Sequence, residues 1–477
     1  MSTGRTHAPR LILALAILLQ GCSSGPDYRR PAVDVPAAFK ESGPAGWKAA
    51  APADALPRDG WWARYRDPAL DALIARLGDD QPAIALAGAR YREALGQAGA
   101  ARAALWPSLS AGWSDSLGRN AADGTSRSRR LGLEAAWEAD LWGRLRRQAE
   151  AGEEGGRAAA ADLAAVRLSV QASLAQAYFL LRVQDARQEL LDATVAAYGR
   201  AVELTRNRLA VGIATPADVA QAQTQLHSTR ALAADNRVAR AQLEHLLATL
   251  LGRPPADFAL PPDPLRPADF SPPPVPAGLP SELLERRPDV AAAERRVAAA
   301  NAEIGVARAA WFPSLTLSAS RGQSAAHYGA LLDTPARVWS LGAALALTLF
   351  DGGERRALEA AAQARYDASA AGYRQAVLDA FREVEDALAA LGGLEEEAEA
   401  VAAAVRSARE SEQQTLNRYK AGMVDYLSVV TVQATTLGNE RQALDVFGRR
   451  LAASVDLVRA LGGGWPGDDA LRLADGE

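Results

Sequence analysis

The amino-acid sequence predicts a mainly helical chain with a membrane β part, built as two tandem repeats that each supply two strands and two long helices. Three observations carry this. Between Trp339 and Leu349 the side chains alternate strictly, with Trp339, Leu341, Ala343, Leu345, Leu347 and Leu349 on one face and Ser340, Gly342, Ala344, Ala346 and Thr348 on the other, the pattern of a strand between lipid and water. After Asp351-Gly352-Gly353 an Ala-, Glu-, Arg-, Leu- and Gln-rich run continues without proline past Tyr419, which predicts one helix about 100 Å long. The same succession occurs once more upstream.

Composition bounds the alternatives. The chain has 477 residues, 6% aromatic content and a net charge of -4, so it lacks the basic footprint of a nucleic-acid binder. Four His and one Cys leave little for a metal site, and glutamates at helical spacing read as solvated faces. His227 and His245 fall on one predicted helix and fit a solvated or interhelical role. No phosphate-binding glycine loop, metal-ligand cluster or nucleophile with a base and orienter is present in the sequence, so no enzyme activity and no cofactor are expected.

At the N-terminus, Arg5, His7 and Arg10 precede an apolar run, Leu11 to Leu19, that is too short to span a membrane and reads as a signal peptide over residues 1–21. The sequence Leu19-Gln20-Gly21-Cys22 resembles a bacterial lipoprotein signal, which implies acylation of Cys22. Ser23 after it implies sorting to the outer membrane, with the acyl chains as an anchor. Residues 22–60 are rich in Pro, Ala and Gly and predict an extended tether. A short amphipathic helix over 68–77 follows, and Trp61 and Trp62 are expected to pack against the body.

Residues 82–109 align without a gap on 288–315 at an offset of 206. The block Ala101-Arg102-Ala103-Ala104-Leu105-Trp106-Pro107-Ser108-Leu109 answers to Ala307-Arg308-Ala309-Ala310-Trp311-Phe312-Pro313-Ser314-Leu315. Arg208, Gly212, Val219, Gln223 and Leu251-Gly252 then match Arg418, Gly422, Val429, Gln433 and Leu461-Gly462 at an offset of 210. The repeats are residues 61–252, with a hairpin over about 107–142, and 281–464, with a hairpin over about 313–350. A proline-rich linker, 253–280, joins them and a tail, 465–477, ends the chain.

In the first hairpin Leu109, Ala111 and Trp113 share a face. The second strand is expected over 131–141, with Leu131, Leu133, Ala135, Trp137 and Leu141 opposed by Gly132, Glu134, Glu138 and Asp140. Those last three acids are candidates for a barrel lumen. In the second hairpin Leu315, Leu317 and Ala319 alternate with Thr316, Ser318 and Ser320. Polar loops are expected over 119–130 and 321–337. Gly152, Gly155 and Gly156 should bend the first long helix, or break it. Pro288 and Asp289 suit the first turn of a helix.

Four strands cannot close a barrel, and open edges do not survive in lipid, so the chain must assemble. A homotrimer with twelve strands is the smallest symmetric solution with a usable bore. Its helices would gather into a second tube through seams such as Val166, Val170, Leu174, Tyr178 and Leu181.

The stretches Cys22 to Pro31, Trp61-Trp62, Asp67-Pro68-Ala69-Leu70, Leu279 to Asp289 and Ile304-Gly305-Val306-Ala307-Arg308 together resemble the TolC-like outer-membrane efflux factors, in particular the NodT-type lipoproteins of resistance-nodulation-division (RND) pumps. The resemblance covers essentially the whole mature chain. It implies a homotrimeric twelve-stranded outer-membrane β-barrel, a periplasmic α-helical barrel, docking to a periplasmic adaptor protein and service to an inner-membrane RND pump. It further implies that Arg208, Gly212, Arg418 and Gly422 form adaptor-docking helix tips, although helix-ending chemistry alone would also account for them.

Where related proteins close the tunnel with aspartates, the matching positions are Asp218 and Gln221 in the first repeat and Ser428 and Thr431 in the second. The second repeat is therefore expected to rely less on carboxylates, and the isolated trimer to be closed. A type I protein secretion duct and a non-conducting trimeric scaffold are the other readings. The Cys22 signal and Arg286-Arg287-Pro288-Asp289 favour efflux of drugs or other small toxic compounds.

Overall fold

Both repeats adopt the same succession of elements with matching helix lengths. In the first, a 3-10 turn (Trp61–Tyr65) and α1 (Pro68–Ile74) precede α2 (Pro82–Ala103), β1 (Ser108–Asn120), β2 (Gly124–Ala139), α3 (Arg144–Ala210) and α4 (Pro216–Leu250). The second runs α5 (Pro288–Ala309), β3 (Ser314–Ala325), β4 (Arg337–Ala346), α6 (Glu354–Lys420) and α7 (Tyr426–Ala460). α2 and α5 each have 22 residues, α3 and α6 67, and α4 and α7 35. This computed structural model describes residues 24–36, 39–40, 60–120, 124–268, 270–273, 286–329 and 336–463. The signal segment, Cys22, most of the tether, Leu279 to Glu285 and the tail lie outside them.

The chain divides into two compact units, and each draws on both repeats. One comprises Met1–Val33, Ala89–Ala161 and Ala292–Ala376, the other Asp34–Gly88, Asp162–Ala291 and Val377–Glu477.

The first unit holds an antiparallel sheet of order β1-β2-β3-β4. Its registers pair Trp113 with Leu131, Leu133 with Arg321 and Leu341 with Ala319, so the predicted apolar faces coincide across all four strands. The first polar loop is shorter than expected. β1 extends to Asn120 and β2 begins at Gly124, because Asp115 binds Arg127 at 2.7 Å and Arg129 at 3.3 Å across the pair and keeps this charged stretch in register. β4 ends at Ala346, opposite Ser314. The preceding Pro313 has no amide to extend the ladder, so Leu347 and Leu349 lie beyond the strand.

The glycines of α3 neither break nor end it. At Gly152 a Cβ would come within 3.1 Å of the Ala98 backbone, so glycine there permits the close approach of α2. A second close crossing lies at Gly305 in α5, where a Cβ would sit 2.7 Å from the Ser24 carbonyl. The N-terminal segment is tied down on either side. Ser24 Oγ donates to the Trp142 carbonyl at 2.8 Å, Asn301 Nδ2 to the Pro26 carbonyl at 2.9 Å, and Arg147 meets Asp27 at 3.1 Å. Tyr28 donates to Glu294 at 3.2 Å, and Arg30 is ion-paired with the same carboxylate.

The second unit is organised around the middle of α3. Leu174, Tyr178 and Leu181 of the expected seam are fully buried, within a cluster that includes Trp61, Tyr65, Leu70, Leu247, Phe447, Leu451 and Val455 of the same chain. Asp67 caps α1 by accepting from the amides of Ala69 and Leu70, and Tyr178 donates to it at 2.8 Å. Buried Arg287 donates to both oxygens of Asp289, to Glu383 and to the carbonyl of Ala460, which ties the start of α5 to α6 and to the end of α7. The motifs at Asp67 and Arg287 thus have structural work of their own.

Candidate functional site

Two features can form a conduit: the polar face of the sheet and the pair of helix turns. On the sheet, alternation sets Ser110, Ser114, Arg130, Glu134, Ser318, Ser320 and Ser340 opposite the apolar face. The three predicted lumen acids behave differently from one another. Glu134 lies within this face, between Ser110 and Ser320. Glu138 is near the helical end of β2 and accepts two hydrogen bonds from Arg144, at 3.1 and 2.7 Å. Asp140 corrects the expectation of a strand residue. β2 ends at Ala139, and the Asp140 carboxylate accepts from the backbone amides of Leu145 and Arg146 at 3.1 and 2.9 Å. It thereby satisfies amides left over at the start of α3.

Arg208-to-Gly212 and Arg418-to-Gly422 close their helices by one mechanism. Gly212 and Gly422 have φ of 75° and 77°, a left-handed conformation that favours glycine. The amide of Ile213 donates to the Arg208 carbonyl at 2.8 Å and that of Gly212 to Leu209 at 2.9 Å. The amides of Met423 and Gly422 repeat this on Arg418 and Tyr419 at 2.9 and 3.0 Å. Both turns are Schellman motifs. The two arginines differ in their side chains: the Arg208 guanidinium lies 4.6 Å from the ring centre of Tyr419, whereas Arg418 is exposed.

The next helices begin with exchanged chemistry. Thr215 caps α4, and Asp218 completes a capping box by accepting from the Thr215 amide and hydroxyl at 2.8 and 2.9 Å. At α7 the cap is Asp425, which accepts from the Ser428 amide at 2.9 Å and the Ser428 hydroxyl at 2.6 Å. Those bonds hold the Asp425 carboxyl below the usual carboxylate range. A carboxylate thus lies three positions before Ser428, at Asp425. The offset of 210, extended across the turn, pairs Thr215 with Asp425 and would have revealed the exchange. Gln221 is half-buried, and the Thr431 hydroxyl donates to the Leu427 carbonyl at 2.9 Å.

Beneath the turns Tyr198, Val202, Ala222, Leu226, Tyr419, Tyr426, Val429 and Val430 form a common core. Burial, reinforced by neighbouring Tyr419, Tyr198 and Asp218, pushes the Tyr426 hydroxyl up to about 12, so it stays protonated. Around this core Val211, Ile213, Met423 and Leu427 remain 51–69% exposed, an apolar surface at the chain reversals.

Comparison with known proteins agrees with this geometry. The sequence profile of the family described as outer membrane efflux protein matches residues 73–253 and 279–463. The chain is similar to outer membrane protein OprJ of Pseudomonas aeruginosa, 35% identical over 95% of each chain. It is also similar to the cation efflux system protein CusC of Escherichia coli K12, 30% identical over 95% of this chain and 99% of that one. A crystal structure of a membrane protein from Pseudomonas aeruginosa superposes with a TM-score of 0.85 at 33% identity, covering 92% of this chain and all of that one. With both repeats matched by the profile and nearly the whole length shared with these relatives, the chain belongs to the outer membrane efflux protein family.

Proposed function

We propose that three copies of this chain close a twelve-stranded barrel and form the passive exit duct of a tripartite efflux pump. The chain is the outer-membrane channel component, and the observation that carries the trimeric reading is the pair of open sheet edges. Among the described strands β1 bonds only β2 and β4 bonds only β3. In lipid each unpaired backbone group costs several kcal/mol, and the apolar side chains of both edges lie on one face, so neighbouring copies must supply the missing partners.

The helix tips at Arg208, Gly212, Arg418 and Gly422, with exposed Val211, Ile213, Met423 and Leu427 around them, are read as the docking surface for a periplasmic adaptor. An inner-membrane RND pump would supply the energy. Asp218, Gln221, Ser428 and Thr431, joined by Asp425, are assigned to the closing aperture, and Glu134 to the barrel lumen. Cys22 is assigned as the acylated anchor. The repeats and linker at 61–252, 253–280 and 281–464 remain the proposed working divisions of the chain. The cargo class is small toxic compounds; the CusC relative is named for cation efflux.

Native mass spectrometry of the detergent-extracted protein should give trimers, and planar bilayers should show low conductance until an adaptor is added. Loss of the gene should sensitise cells to toxic compounds. A monomer that never enters the outer membrane, or wide conductance without an adaptor, would contradict these respective parts of the reading.

A further inference from the structure

The apolar face of the sheet changes character toward the end farthest from the helices. Residues opposite one another in antiparallel strands share a face, so the register gives successive cross-sheet rows. Nearest the helices are Ala139-Leu315-Leu345, Trp137-Leu317-Ala343 and Ala135-Ala319-Leu341, all apolar. Then come Leu133-Arg321-Trp339 and Leu131-Gln323-Arg337, followed by Asp115-Arg129-Ala325, Leu117-Arg127 and Arg119-Thr125. Five arginines therefore share this face with one carboxylate. Asp115 is already held by Arg127 and Arg129, and the residues opposite Arg119, Arg321 and Arg337 are Thr125, Leu133, Trp339 and Gln323, none of them acidic. The charged zone begins one or two rows closer to the helices on β3 and β4 than on β1 and β2. That is the stagger expected if tilted strands present one level rim.

Aromatic side chains mark the same boundary. Trp113 and Trp339 are 49% and 74% exposed, Tyr328 stacks on Trp113 with ring centres 5.9 Å apart, and the Arg129 guanidinium lies 3.9 Å from the centre of the Tyr328 ring. Aromatic residues of this kind gather where a barrel leaves the hydrocarbon layer. Arg119, Arg321 and Arg337, which face no carboxylate across the described ladder, are complementary to phosphate, whose oxygens the planar guanidinium fork can bind in pairs.

We propose that this arginine rim, chiefly Arg321 on β3 and Arg337 on the edge strand β4, binds the phosphates of an anionic lipid in the leaflet on the side away from the helices. The proposal rests on the sheet forming part of a membrane barrel. It adds a lipid-specific contact that would fix the barrel's depth and orientation in its bilayer.

The test uses the full-length protein in detergent, titrated with a bisphosphorylated, acylated disaccharide lipid and followed by native mass spectrometry. Retention of the lipid on wild-type trimers is expected, with binding weakened about tenfold to thirtyfold in an Arg321→Gln/Arg337→Gln double variant. An Arg321→Lys/Arg337→Lys variant, which keeps the charge and loses the planar fork, should bind more weakly than wild type and more tightly than the glutamine variant. Equal binding of the same lipid stripped of its phosphates, unchanged binding by the glutamine variant, or displacement by inorganic phosphate at comparable concentration would overturn the lipid assignment. Trimer abundance is read in the same spectra, so a wild type found only as monomers would instead remove the barrel reading, and a glutamine variant that stays trimeric shows that its loss of lipid is not a loss of fold.

Discussion

At the first helix turn a hydroxyl occupies the N-cap, Thr215, and a carboxylate the third helical position, Asp218. At the second the carboxylate is the cap, Asp425, and the hydroxyl follows at Ser428. The hydrogen bonds differ in direction, yet each pair satisfies free amides of its helix start, and each turn is entered through the same glycine-ended helix. The backbone at these reversals requires acceptors at set positions and leaves open which side chain provides them. The filling is less even. Leu209 and Pro216 in the first turn stand where Tyr419 and Tyr426 stand in the second, and those two tyrosines build most of the shared aromatic core.

The largest effect should expose this unevenness. Tyr426→Ala empties a buried aromatic site and should cost about 3–5 kcal/mol, whereas Pro216→Ala, at the equivalent position, should change stability by less than about 1 kcal/mol. Hydrogen exchange of amides in both turns would measure the difference, and similar effects would show that the two turns share the core equally. Next, Gly212→Ala and Gly422→Ala should each cost about 1–2 kcal/mol, and equally, because both glycines have the same left-handed backbone. A clear inequality would break the equivalence of the two Schellman turns.

Thr215→Ala should cost about 1 kcal/mol, and the exchange Thr215→Asp with Asp218→Ser should restore the loss by copying the second turn into the first. The acid response of the second turn has a definite sign. The Asp425 carboxyl titrates below its unfolded value, so its contribution is present above the ordinary carboxylate range and fades as pH falls through the lowered value. Asp425→Asn should remove this component from the exchange rates of the second turn measured from pH 6 down to about 3. The smallest difference concerns the arginines. Arg208→Ala loses a stacking contact with Tyr419 and should cost about 0.5–1 kcal/mol, while exposed Arg418→Ala should stay within about 0.5 kcal/mol.

Several features were legible from pattern because they depend on local periodicity. The alternation around Trp339 marked β4, the proline-free run marked α6, and the two offsets matched α2 to α5 and the turn before α4 to the turn before α7. Pro288 and Asp289 were readable as helix-start signals. Other features depend on distant segments. Gly152 looked like a weak point in α3 but accommodates α2. Asp140 continued the strand alternation yet serves the first turn of α3. The polar run from Arg119 to Arg130 looked like a loop but is mostly strand, because Asp115 and its two arginines pair across the ladder.

The sequence by itself determined the repeat, the unbroken run of its second long helix and the separation of apolar from polar strand faces. These follow from chain stereochemistry acting over a few residues, which sets periods of two and 3.6. Tertiary structure alone decided where each strand stops, which carboxylates meet arginines or helix-start amides, and how arginines line up across strands far apart in the chain. Those outcomes are settled by the residue that arrives opposite, and register between distant segments is a property of the folded ladder.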